Sequence, residues 1–288
     1  MKDLRGHPAR ADQAFRRLAV GAAGIVLVVL ALIAAVMTAR AWPVLDAMGL
    51  AFFTSTRWSP VEGLYGALPF VWGTLYTSAI ALVLAVPVSL GVTLFVTEVA
   101  PGWLRRPLIG FVDLLAVIPS VVFGLWGILV LAPHIGRSFF TAGLILGIMI
   151  TPIITSLSRE VIETTPRAHK EATYALGATR WEMIRGAIWP HSKGGLVGAV
   201  MLGMGRALGE TIAAALVIGS ALGQVTLDPF VAGNTMAAVI ANQWGEAGDL
   251  QKSALIALAV LLFAITIAVN LAANAIVERS MARSEGVR

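Results

Sequence analysis

Long apolar runs separated by short charged stretches dominate the chain. Six of them are long enough for a helix to cross about 30 Å of hydrocarbon, which takes about 20 residues. They run approximately over residues 18–38, 70–96, 108–131, 141–157, 194–222 and 253–277. The fourth is the shortest and contains Pro152, while Pro87 and Pro119 fall within others. Prolines are tolerated in membrane helices where neighbouring protein groups satisfy the freed carbonyls. The pattern predicts an all-α transmembrane fold, a six-helix bundle over residues 18–277. Short tails, 1–17 and 278–288, would flank it.

Composition sharpens this. The chain is 58% hydrophobic and 13% charged, more apolar than a soluble exterior allows. Cysteine is absent, which excludes a disulfide framework, a thiolate metal site and a thiol nucleophile. The net charge of +5 raises the question of nucleic acid, but the basic residues report topology instead. With the N-terminus inside, the inner tail and loops hold Lys2, Arg5, Arg10, Arg16, Arg17, Arg105, Arg106 and Arg159. They also hold Arg167, Lys170, Arg180, Arg185, Lys193, Arg279, Arg283 and Arg288. The outer loops hold only Arg40, Arg57, Arg137 and Lys252. Both termini are therefore expected in the cytoplasm, with no nucleic-acid partner. The first run follows a basic leader and precedes "ARA" at 39–41. Its apolar core exceeds the 7–15 residues of a secretory signal, so it reads as an uncleaved helix.

One inner loop is long, about residues 158–193: "SREVIETTPRAHKEATYALGATRWEMIRGAIWPHSKGG". Pro166 suits a helix start, "RAHKEATYAL" supplies good helix formers, and Gly177 fits a helix end. A second helix begins at "ATRWEMIRGAIW" and breaks at Pro190. Ala175, Leu176, Trp181 and Ile184 are available for burial in this helix–turn–helix. On pattern alone it could also be a plain connecting hairpin.

"EATYALGA" followed by Pro190 resembles the EAA loop of ABC-importer permeases. Glu171, Ala172, Gly177 and Pro190 match, whereas Thr173, Ala187 and Trp189 depart from the pattern. Four further blocks, "FFTSTRWSP…GALPFVWGTLYTS", "IPSVVFGLWG", "GRALGETIAAALVIG" and "GNTMAAVIANQWGEA", are similar to the phosphate permeases of the PstC type. The resemblance implies a type I ABC-importer permease in the plasma (inner) membrane. It implies a PstA-like permease partner, two ATPase subunits and an extracytoplasmic phosphate-binding protein. Glu171, Ala172 and Gly177 would meet the ATPase, with Arg180 beside them. No G-x-x-x-x-G-K-[ST] occurs in the chain. ATP and Mg would therefore be used by the partner ATPase, and this chain would bind no cofactor or metal.

Within "MLGMGRALGETIAAALVIGS", residues 201–220, Arg206 and Glu210 are the only charged residues. A charge at the bilayer centre costs about 2.5–3.5 kcal/mol on insertion scales, so such residues usually face a bundle interior or an aqueous path. In a continuous helix the two share a face at i, i+4. Three readings follow. The pair could lock helices, supported by Gly205-x-x-x-Gly209. Arg206 could offer paired donors to a tetrahedral oxyanion along a substrate path, with Glu210 preventing overtight holding. Or Glu210 could be the base of an intramembrane enzyme. The catalytic reading is weak, because His7, His134, His169 and His191 are scattered and "GMGRALG" has the wrong spacing for a dinucleotide site. Within transport, sulfate, molybdate or tungstate is the alternative cargo to phosphate. Asp113 is expected to pair with Arg105 or Arg106 or to cap a turn, and Asn270 and Asn274 to bond neighbouring helices.

Overall fold

The computed structural model describes residues 10–285. Lys2, Arg5, His7 and Arg288 lie outside them, as do the ends of both tails. Helix α1, Arg10–Met48, is one helix of 39 residues that continues through Pro43. At about 58 Å it is far longer than a bilayer core. Its apolar span, Phe15–Met48, has none of its most hydrophobic stretch buried within the chain. Only near its end do Ala41 and Val44 pack inward.

A short helix α2 (Ala51–Thr54) and a hairpin follow, with β1 (Trp58–Ser59) antiparallel to β2 (Leu64–Tyr65). Helix α3, Leu68–Leu94, ends in a π-helical turn at Phe95–Val99. Helices α4 (Gly102–Val117) and α5 (Ser120–Trp126) meet at a 90° bend. The cause is local. Ile118 is extended, as a residue before proline tends to be, and Pro119 starts the new direction. A π-helical turn at Gly127–Leu131 leads to α6 (Ala132–Ile135) and then α7 (Phe139–Glu163).

Beyond α7 come α8 (Arg167–Ala175) and α9 (Arg180–Met183), then a π-helical turn at Ile184–Ile188. Helix α10, Trp189–Gly209, is followed by α11 (Ile212–Val217), α12 (Met236–Gln243) and α13 (Asp249–Glu285).

Four helices among the described residues are long and apolar enough to cross a membrane, or five if the bent pair α4–α6 is one span. The continuous span expected over 194–222 is not present. Helix α10 ends at Gly209, and Glu210 is extended at φ −69°, ψ 126°. Glycines together with Lys193 and Arg206 dilute the hydropathy of α10. No proline announces the break, and glycine, a poor helix former, is the last residue before it.

Helix α7 is the axis of the bundle, with 61% of its apolar window buried. It packs against α3, α10 and α4. Ser89 Oγ donates to the Thr151 carbonyl at 3.1 Å and Thr93 Oγ1 to that of Thr155 at 3.3 Å, tying α3 to α7. Apolar clusters fill three levels. At the hairpin end Phe52, Trp58, Phe70, Met236 and Leu255 are buried together. Phe139, Ile145, Ile150, Ile154 and Val217 fill the middle. Ile162, Met183, Ile184, Ile188 and Leu196 close the end that carries α8.

The segment 218–235 folds back onto the start of α3. Trp72 Nε1 donates to the Thr226 carbonyl at 2.9 Å, and Tyr76 Oη to that of Leu227 at 2.6 Å. The Met236 amide donates to Thr74 Oγ1 at 3.0 Å. Gly73 permits this approach, since a Cβ there would collide with the Asn234 carbonyl.

Candidate substrate path and coupling surface

Helix α10 packs against α7, α13 and α3. Between α7, α10 and α13 lies an open groove of about 760 Å³. Arg206 lines it from the last turn of α10, with Glu160 from α7 and Asn270 and Asn274 from α13. Gly205 also borders it, and neither Gly205 nor Gly209 has a neighbour against it. The small-residue spacing therefore packs no helix of this chain there.

Arg206 is exposed to the groove. Among the described residues no hydrogen bond or ion pair engages its guanidinium. The expected pairing with Glu210 at i, i+4 does not form, because the helix ends before Glu210 is reached. Glu210 Oε1 instead accepts from the Ala213 amide at 3.3 Å, in the first turn of α11. Each charge suits its helix end: a cation at the negative C-terminal end of α10, a carboxylate at the positive N-terminal end of α11. Asn270 and Asn274 bond no neighbouring helix among the described residues, contrary to the sequence expectation; they join Arg206 instead.

Asp113 also has a different partner from those expected. Its Oδ1 accepts from Ser156 Oγ at 2.7 Å and lies 3.9 Å from Arg159. Arg105 pairs with Glu163 at 2.7 Å instead. Both contacts bind α4 to α7, so Asp113 holds the bundle together.

At the other candidate site, Glu171, Ala172, Gly177 and Arg180 are all exposed. The expected helix–turn–helix forms, and Gly177 has φ +80°, a conformation that side-chain-bearing residues adopt at a cost. Thr179 and Glu182 build a reciprocal cap on α9: the Thr179 hydroxyl accepts from the Glu182 amide, and Glu182 Oε2 accepts from the Thr179 amide at 2.7 Å. That backbone hydrogen bond, with the Thr179 hydroxyl, holds the Glu182 carboxyl below its ordinary range. Of the apolar residues expected to bury, only Ile184 does; Leu176 is 89% and Trp181 65% exposed. The outcome is a capped helical hairpin whose exposed face carries Glu171, Leu176 and Trp181 toward solvent. Sequence reasoning missed Glu98, whose Oε1 receives Lys170 Nζ at 2.6 Å. Its place just before Pro101 at the end of an apolar run was the only available hint.

The family described as the inner membrane component of binding-protein-dependent transport systems matches residues 85–283. The chain belongs to that family. This permease is 42% identical, over 99% of its length, to a Xylella fastidiosa protein named phosphate transport system permease protein PstC, covering 95% of it. A Haemophilus influenzae protein of the same name is 43% identical over 84% of the permease and 85% of that relative. Solved structures share the fold. A chain of the MetNI methionine ABC transporter in inward-facing conformations superposes at a TM-score of 0.63 with 20% identity, over 78% of the permease and 99% of that chain. A chain of a bacterial alginate ABC transporter, in complex with an alginate pentasaccharide-bound periplasmic protein, gives 0.64 with 15% identity, over 96% and 99%. The fold is that of type I ABC-importer permeases, and the permease is a transport subunit of the inner membrane.

Proposed function

We propose that this chain is a transmembrane subunit of an ATP-driven importer of inorganic phosphate. Near-full-length similarity to proteins named for phosphate transport carries the reading. The groove supplies chemistry that suits it. An unengaged guanidinium offers two parallel donors to a tetrahedral oxyanion, and the carboxamides of Asn270 and Asn274 add neutral donors. Glu160 in the same groove disfavours prolonged anion residence, as passage requires.

In this reading six crossings, the broken α10–α11 among them, leave both termini in the cytoplasm. A PstA-like permease faces the groove of Arg206, and a phosphate-binding protein delivers cargo from outside. Of the two ATPase subunits, which hold ATP and Mg, one docks on α8 through Glu171, Ala172 and the turn at Gly177, with Arg180 alongside. Closure of the ATPases moves α8 and opens the path outward; release of ADP and phosphate resets it inward.

The test is labelled anion uptake into vesicles containing the full complex and binding protein. ATP-dependent phosphate uptake that unlabelled sulfate or molybdate does not compete away is the expected result. Preferential uptake of sulfate or molybdate would replace phosphate as the cargo.

A further inference from the structure

Helix α8 meets the rest of the chain on a narrow footing. Of its nine residues only Lys170 and Thr173 are partly buried, one turn apart on one face. Lys170 Nζ reaches Glu98 Oε1 at 2.6 Å, with side chains only 22% and 9% exposed. Two other short pairs among the described residues differ. Arg57–Glu62 and Arg105–Glu163 leave both partners at least 40% exposed, where ion pairs contribute little. A short charge-assisted bond shielded from water is strong and directional, and losing one partner strands the other.

The position of Glu98 gives the contact its interest. It sits in the π-helical turn that ends α3. Leu90 and Leu94 of α3 also pack against the buried Met183, Ile184 and Ile188 that follow α8. From α3 the connection continues through Ser89 and Thr93 to the Thr151 and Thr155 carbonyls of α7. One turn further along, α7 contributes Glu160 to the groove of Arg206. A continuous path of packed and bonded groups thus runs from α8 to the groove.

We propose that the Lys170–Glu98 pair is the strut through which displacement of α8 is passed to α3 and α7. This rests on the reading of α8 as the ATPase contact. Both are positioning residues, since neither touches the groove.

The experiment uses the full complex with its ATPases and binding protein in vesicles, and reads phosphate moved per ATP hydrolysed at equal amounts of assembled complex. Glu98→Gln and Lys170→Met are each expected to lower that ratio several-fold. The exchanged pair, Glu98→Lys with Lys170→Glu, is expected to recover much of it. An unchanged ratio in the single variants would overturn the strut. So would a loss of assembled complex in which the surviving fraction keeps the normal ratio, since that marks a purely structural contact. A defect that the exchanged pair does not relieve would overturn it as well. Absence of phosphate-stimulated hydrolysis in the unmodified complex would overturn the underlying functional reading together with the strut.

Discussion

Replacing Arg206 and Glu210 by leucine, singly and together, separates two physical accounts of these charges. If they formed a buried ion pair, each single change would strand a charge and the double change would relieve it. The structure ends the helix between them: Arg206 is unengaged in the last turn of α10, and Glu210 lies in the break, engaged by the Ala213 amide. Their effects are therefore expected to add and to fall on different observables. A hydrogen bond from a charged group is worth about 1.5–3 kcal/mol, so losing one such bond from Arg206 to a passing phosphate lowers uptake about 10- to 150-fold. Removing the Glu210 carboxylate costs its hydrogen bond to the Ala213 amide, about 1.5–3 kcal/mol for a charged acceptor, and should lower the melting temperature more than the transport rate. Arg206→Lys keeps the charge but loses the paired donor geometry, and should also be impaired. The assay is labelled phosphate uptake into vesicles, normalised to assembled complex, with melting followed in parallel. Normal uptake by the double leucine variant would refute the reasoning and reduce Arg206 to a packing residue.

A reporter active only outside the cytoplasm should work when fused after Asp249 and fail after Arg167; the reverse pattern would invert the topology and every role assigned to α8. Gly73→Ala places a methyl group against the Asn234 carbonyl and is expected to cost about 1–3 kcal/mol, read as a lower melting temperature in detergent; an unchanged value would show that segment 218–235 is free to move away. The Glu182 carboxyl is held below its ordinary value of 4.5, so its capping contribution is fully present above that pH and is lost as pH falls through the depressed value. The protection of the Thr179 amide, its hydrogen-exchange rate relative to the intrinsic rate at each pH, should fall over that acidic range in the native chain and stay level in Glu182→Gln. Equal profiles in the two would remove the cap from the account.

What the sequence makes legible here follows from how each feature is encoded. Long apolar runs name the helices because membrane burial acts on the average of many residues. Gly177 gave a handle on the turn between α8 and α9, since it frees its own backbone, whereas the run over 108–131 read as one span with Pro119 inside it and is bent by 90° at Ile118–Pro119. The break after Gly209 had no such marker: the run stays apolar across it, and helical spacing then suggested a pair that does not exist. Partner choice was hidden for another reason. Lys170 and Glu98 are 72 residues apart, and Asp113 finds Ser156, 43 residues on, and Arg159 rather than its neighbours Arg105 and Arg106. Charge complementarity alone does not choose among distant partners; the packing of α3 and α4 on α7 does.

The same break explains why an apolar stretch carries one arginine and one glutamate. A helix interrupted within a membrane leaves unpaired carbonyls at the end of its first half and unpaired amides at the start of its second, where no bulk water satisfies them. A carboxylate just before α11 accepts from one of those amides, and a cation in the last turn of α10 opposes the negative end of that helix by charge alone, without bonding its carbonyls. An uninterrupted helix would need neither charge, and insertion would select against both. Because the backbone of α11 engages Glu210, the guanidinium one turn earlier is not neutralised by its nearest acidic neighbour in sequence. A continuous helix would have placed the two charges on one face to quench each other. The break keeps Arg206 open to the groove, where an anion is the partner that its geometry suits.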